Sequence, residues 1–346
     1  VERRPSGDNA EYLRRPSDPE VSSSRRAMKR LEIRPDWWRL APGLKAMPMS
    51  ALTPIDAKDA RDLYAAAGLM VRPAGPVLGA EVGGVDLGRP LGPDTVAAIR
   101  TALLQYKVIF FRDQDISHEA HVAFGRYFGE LEGHPVLPTV PGHPMILDIV
   151  GVDGMQWTEA TIPGGRAADK WHTDVTFREA PSMGGILRMR RMPPLGGDTL
   201  FADTVAIWRD LPDRMKERLQ GLQAEHDILQ SFGGRVSDET REALRRTTPP
   251  VAHPVVRTHP ETGEKALYVN RTFTSRILGV EEAESRKLLR FLTNRVKQPE
   301  YQVRFHWSPD AIVFWDNRPT QHYAVLDYWP HHRVVERVTV VGDKPF

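Results

Sequence analysis

The sequence predicts a mainly β fold with helical insertions, a β-sandwich or jelly roll. Two observations predict it. From about residue 70, short runs rich in β-branched and aromatic residues recur between Gly, Pro and Asp. Helical stretches are interspersed among them without the regular strand–helix alternation that builds a parallel sheet. No internal repeat is visible.

Taken in order, residues 1 to about 50 are rich in Arg, Pro and Ser and lack sustained periodicity, so residues 1–70 are expected to form a flexible or loosely packed arm. Trp37 and Trp38 read as a local hydrophobic latch within it. Residues 71–346 are expected to form one folded body. Val77 to Leu87 and Lys107 to Phe111 have strand character. Between them, Pro93 to Tyr106 sets Val96, Ile99, Leu103 and Leu104 on one helical face. Further helices are expected over Ser117 to Tyr127, Ala206 to Leu222 and Glu281 to Val296. Strands are expected at Met145 to Val150, Gly184 to Met189, Leu267 to Asn270, Ala311 to Trp315 and Val334 to Val341.

Composition narrows the function classes. Lys and Arg total 47 against 45 Asp and Glu, so no general nucleic-acid footprint is present. The chain has no cysteine, which excludes disulfides, thiolate metal sites and a cysteine nucleophile. A transition metal would have to sit on His, Asp or Glu. No apolar stretch reaches transmembrane length and the first residues carry no signal-like hydrophobic run, so a cytoplasmic protein with no membrane partner is expected.

One constellation carries metal chemistry. His172-Thr173-Asp174 has strand-to-loop character, and in an extended segment residues i and i+2 share a face, so imidazole and carboxylate can converge on one ion. A set of two histidines and one carboxylate with open positions suits non-haem Fe(II) better than a closed zinc site. The third ligand must come from elsewhere, and His-X-Asp alone is a weak motif.

Several separate runs in register supply the missing context. WHTDVTF at 171–177, GGDT at 196–199, HPVVRTHP at 253–260, WDNRPTQHYA at 315–324 and the closing RVTVVGDKPF resemble the taurine dioxygenase family of 2-oxoglutarate-dependent oxygenases. The resemblance runs from about Val77 to Phe346 and omits the N-terminal arm. It implies a double-stranded β-helix, a jelly roll with the metal inside the barrel mouth, and so an Fe(II)/2-oxoglutarate dioxygenase domain over residues 71–346. It also implies that His172, Asp174 and His322 hold Fe(II). The open positions would then receive the C1 carboxylate and keto oxygen of 2-oxoglutarate, and O2.

By the same resemblance, Arg333 binds the far carboxylate of the co-substrate with Thr199 as its hydroxyl partner, a task suited to the planar guanidinium fork. Arg337, four residues on, returns to the same face of a regular strand and corresponds to the arginine that binds the substrate sulfonate. His134 and the backbone N–H of Val175 would complete that anion pocket, and Phe232 and Phe273 match its aromatic walls. Leu137 and Ala168 stand where the family's taurine-binding members carry polar residues, so an ammonium tail would gain little there.

The implied activity is hydroxylation of the carbon next to a sulfonate or sulfate group, releasing an aldehyde and sulfite or sulfate, with succinate and CO2. An aryloxyalkanoate or another carboxylate substrate is the alternative within the same chemistry. A zinc hydrolase would leave the co-substrate arginine and threonine unexplained, and an arm that binds nucleic acid is disfavoured by the acidic residues mixed into it. A small anionic substrate and a homo-oligomer, dimer or tetramer, are the expected partners.

Overall fold

In a computed structural model that describes residues 57–133, 138–150, 170–232, 236–328 and 330–346, the body opens with helix α1 (Ala57–Ala66) and the antiparallel pair β1 (Met70–Pro73) and β2 (Ala80–Gly83). Helix α2 (Pro93–Tyr106) starts with Pro at its first position, where the missing N–H costs nothing, and Lys107 ends it in the left-handed region at φ 65°. Strand β3 (Val108–Phe111), helix α3 (His118–Arg126), the short strands β4 (Leu131–Glu132) and β5 (Thr139–Val140), and β6 (His143–Val150) follow. Ser117 caps α3 by accepting from the Ala120 N–H.

The second half contains β7 (Gly184–Arg191), β8 (Thr199–Asp203), α4 (Thr204–Arg209), α5 (Asp213–Leu219), β9 (Gln223–His226), α6 (Leu229–Phe232) and α7 (Asp238–Thr247). Next come β10 (Val251–Pro254), β11 (Val256–Thr258), β12 (Lys265–Leu267), β13 (Thr274–Ile277) and α8 (Glu282–Arg295). The chain closes with β14 (Gln302–Phe305), β15 (Ile312–Asp316), β16 (Thr320–Ala324) and β17 (Val334–Val340).

Two sheets make the jelly roll. The larger runs β1-β2-β3-β15-β7-β17-β6-β5, with β4 also paired to β17, and the smaller runs β14-β8-β16. Strict alternation along the large sheet layers the molecule. Ile109 and Phe111 of β3, Phe314 of β15 and Ile186 of β7 face a core shared with α1, α2 and α3. Their neighbours Val108, Phe110, Trp315 and Leu187 face the other way and meet Phe201, Val303 and Phe305 of the small sheet. Each large side chain buried there stabilises the fold by about 1.5–3 kcal/mol. A third core joins α4 and α8 to the strands between them. Among the described residues, no helix is long and apolar enough to cross a membrane.

The structure revises three expectations. The single helix expected over Ala206 to Leu222 is two, because Pro212 has no N–H to continue the first and instead precedes α5. The strand expected over Leu267 to Asn270 ends at Leu267, because Asn270 Oδ1 accepts from the Thr272 and Phe273 N–H groups and turns the chain. Residues 57–70, placed with the arm, form α1 and enter β1, with Ala60 and Tyr64 buried against the large sheet. Residues 1–56, including Trp37 and Trp38, lie outside the described residues.

Candidate metal centre

His172 and His322 lie opposite each other as an isolated antiparallel bridge at the edge of the small sheet. Each donates its backbone N–H to the other's carbonyl, at 3.1 and 2.8 Å. Residues paired in this way send their side chains to the same face, and the two imidazole centroids are 4.2 Å apart. Asp174, two residues along, returns to that face. Its Oδ1 lies 3.8 Å from His172 Nε2 and its Oδ2 3.9 Å from His322 Nε2. One donor atom from each residue falls within 4.8 Å of the others, and among the described residues no other group of three such side chains does so.

The ligand set is held in place from behind. His172 Nδ1 donates to the Lys170 carbonyl at 2.7 Å, which leaves its Nε2 lone pair turned toward Asp174. Asn317 clamps the backbone of Asp174, accepting from its N–H at 3.0 Å and donating to its carbonyl at 3.2 Å. Thr173 donates to the Thr320 carbonyl. Thr176 is a hub: its hydroxyl meets His226 Nδ1 and Asn270 Nδ2, and its carbonyl accepts from His253 Nε2. Val175 sits at φ 46°, an uncommon conformation for a β-branched residue and a source of local strain.

The charges suit a divalent cation. Burial lowers the pKa of both imidazoles, that of His322 to about 3, so both are neutral donors near neutral pH. Burial alone would raise the Asp174 carboxyl, but the Arg337 guanidinium, which is hydrogen-bonded to it, outweighs burial and holds the group below the usual carboxylate range. All three residues are buried, each 8% exposed.

Of two buried arginines on and beside β17, Arg337 touches the triad and Arg333 lies at Gly197 and Trp307. Arg337 Nη1 donates to Asp174 Oδ2 at 2.8 Å, and its Nε is buried with no hydrogen-bond partner among the described residues. Together with Val175, Arg178, Ser182 and Thr339 it borders a small cavity of about 10 Å³. Arg333, 7% exposed, donates from Nε to the Gly197 carbonyl at 3.0 Å and lies 5.6 Å above the Trp307 ring. Among the described residues it has no carboxylate within ion-pair distance, and burial lowers its pKa. Trp307 Nε1 donates to Thr199 Oγ1 at 3.1 Å, so Arg333 and Thr199 share one indole. Thr199 is two residues before Phe201, the ladder partner of His322.

The chain matches the family described as "Taurine catabolism dioxygenase TauD, TfdA family" over residues 70–339. It belongs to that family. An "Alpha-ketoglutarate-dependent sulfate ester dioxygenase" from Pseudomonas putida is 38% identical over 285 residues, covering 80% of this chain and 91% of that protein. An "Alpha-ketoglutarate-dependent 2,4-dichlorophenoxyacetate dioxygenase" from Burkholderia sp. is 33% identical over 275 residues, covering 77% and 92%. Among solved structures, a taurine dioxygenase from Burkholderia xenovorans superposes with a TM-score of 0.68 at 38% identity, covering 80% of this chain and 91% of that one.

This TauD/TfdA protein is therefore a 2-oxoglutarate-dependent dioxygenase with Fe(II) and O2, and His172, Asp174 and His322 fit the metal. Of the residues singled out in the sequence, the fold brings His172, Asp174, His322, Val175 and Arg337 together. Phe273 joins them, its ring edge-on to His172 with centroids 6.4 Å apart. Thr199 and Arg333 meet at Trp307. Phe232 ends α6. His134, Leu137 and Ala168 lie outside the described residues. Sequence reasoning had assigned no role to Asn317, Thr176 or Trp307, although the first two sit inside the runs that carried the resemblance.

Proposed function

We propose that this dioxygenase hydroxylates the carbon bearing a sulfate or sulfonate group and releases an aldehyde with sulfate or sulfite. The observation that carries this reading is Arg337: a buried guanidinium, already on the metal face through Asp174, whose Nε has no hydrogen-bond partner among the described residues. Such a group favours a small anion placed next to the reacting carbon. Fe(II) with 2-oxoglutarate and O2 supplies the oxidising chemistry.

The chain's own groups do the positioning. Arg333 and Thr199 hold the far carboxylate of 2-oxoglutarate, where burial with no carboxylate at ion-pair distance among the described residues makes the guanidinium receptive. Arg337, the Val175 N–H and His134 hold the substrate anion. Phe273 and Phe232 wall the pocket, and Leu137 and Ala168 leave its far end apolar, which suits an alkyl tail better than taurine's ammonium. Once hydroxylated, the carbon carries both OH and the sulfur group. Loss of the hydroxyl proton and departure of sulfate or sulfite then leave a carbonyl. The reading includes a homo-oligomer, dimer or tetramer, in the cytoplasm.

A carboxylate substrate is the second reading, favoured by the 2,4-dichlorophenoxyacetate relative. Succinate formation with Fe(II), ascorbate and O2 separates the two across alkyl sulfates, alkyl sulfonates, taurine and aryloxyalkanoates. Succinate released in step with sulfate or sulfite supports the first reading. Turnover of aryloxyalkanoates alone, with release of a phenol, replaces it by the second, and taurine as best substrate overturns the apolar tail.

A further inference from the structure

We infer that Arg337 is a positioning residue for the metal ligand: its guanidinium holds one oxygen of Asp174 so that only the other meets the metal. The inference rests on the triad as the metal site and goes beyond the anion-binding role proposed above.

Asp174 is fixed at both ends. Asn317 clamps its backbone on both sides of the peptide, and Arg337 Nη1 takes Oδ2 at 2.8 Å. Oδ1 has no hydrogen-bond partner among the described residues and faces His172 Nε2 at 3.8 Å. Arg337 itself is rigidly mounted. It is buried on β17 between two ladder neighbours, Leu147 of β6 and Leu187 of β7. A carboxylate tied in this way offers one oxygen.

The count of coordination positions makes the tie consequential. Two imidazoles and one oxygen would leave a bound ion room for the chelating end of 2-oxoglutarate and for O2. A carboxylate free to bind through both oxygens would occupy part of that room. The sign of the effect on metal affinity is also unusual. Carbonyl and carboxylate partners make a ligand more basic, whereas a guanidinium draws charge away from Asp174 and repels the ion. Removing Arg337 should therefore tighten metal binding while spoiling the site for the co-substrate.

The test uses metal-stripped wild type, Arg337→Gln and Arg337→Met, the long Met stem preserving packing should Gln disturb the fold. Each is titrated with Co(II) in the absence of substrate, the Co(II) absorption spectrum is recorded for coordination, and 2-oxoglutarate is then added. Expected in a folded variant are Co(II) binding tighter by roughly tenfold, an altered spectrum and weaker 2-oxoglutarate binding. Arg337→Lys, which keeps one cationic donor, should stay near wild type in all three. Unchanged affinity, spectrum and 2-oxoglutarate binding, even with substrate binding lost, would overturn the inference and leave Arg337 as an anion binder only. Looser Co(II) binding would overturn it as well. Wild type that takes up no Co(II) would overturn the metal site beneath it.

Discussion

Two buried arginine–carboxylate groups, Asp316 with Arg318 and Asp174 with Arg337, differ in how completely they satisfy themselves. At the end of β15, Asp316 is 0% exposed and every oxygen is used: Oδ1 accepts from Arg318 N and Nε, and Oδ2 from Arg318 Nη2 and His259 Nε2. Arg318 Nη1 goes on to Glu261, which Arg100 also grips. His259 Nδ1 accepts from the backbone N–H groups of Glu261 and Thr262. Around Asp174, by contrast, His322 Nδ1 and Arg337 Nε are buried with no hydrogen-bond partner among the described residues, and three potential ligand atoms crowd within 4.8 Å. A network with nothing left over is structure. One with donors and acceptors left over, grouped around three potential ligand atoms, has capacity for a guest.

The largest expected effect separates the two by what is lost. His322→Ala should lower turnover by more than about 100-fold, and should also abolish the rise in melting temperature that Fe(II) or Co(II) gives the wild type. At 100 times its dissociation constant an ion stabilises by about 2.7 kcal/mol. A variant still stabilised by metal would place the ligand elsewhere. Without metal, His322→Ala should melt close to metal-stripped wild type.

Arg318→Ala should do the reverse. Leaving Asp316 and Glu261 buried and uncompensated costs about 3–5 kcal/mol, read as a lowered urea midpoint. Metal affinity of the fraction still folded should hardly move. A stable Arg318→Ala protein with weakened Co(II) binding would erase the distinction between the groups.

The smallest effect at neutral pH concerns buried histidines that touch neither carboxylate. His121 and His226 are fully buried, and burial lowers each to about 3 from an ordinary value of 6.5. Because the folded-state value is depressed, the unfolded chain binds more protons below pH 6.5. Their contribution is complete above that pH and is lost as the pH falls from it toward 3. His121→Asn should flatten the fall in stability by about 1.4 kcal/mol per pH unit in that window, with and without metal alike. An unchanged slope would mean that His121 does not titrate on unfolding.

The parts legible in the sequence were those set by local periodicity or by runs already rich in chemistry. The runs KVIFF and Ala311 to Trp315 were legible as strands, and His-Thr-Asp foretold an imidazole and a carboxylate on one side; that the two strands divide two cores between their faces was seen only in the fold. Long-range contacts were not legible. Nothing local marks Trp307 as the bridge between Thr199 and Arg333, or tells which polar residue of WDNR would clamp Asp174 and which would close a network of its own. The pairing of Arg337 with Asp174 was hidden for a related reason. A four-residue step puts Arg333 and Arg337 on one face of a regular strand, but the β17–β7 ladder shifts register between Val334 and Val335. Arg333 lies beyond that break, on the Gly197 and Trp307 side.

The His172–His322 bridge carries a further consequence. A strand that slips by one residue turns all of its side chains to the opposite face. Two ligands far apart in the chain can therefore share an ion only if the closing strands have come together in the correct alignment. An ion held by both residues would thus reward only the aligned barrel, and its uptake would report on the rung where the two distant runs meet.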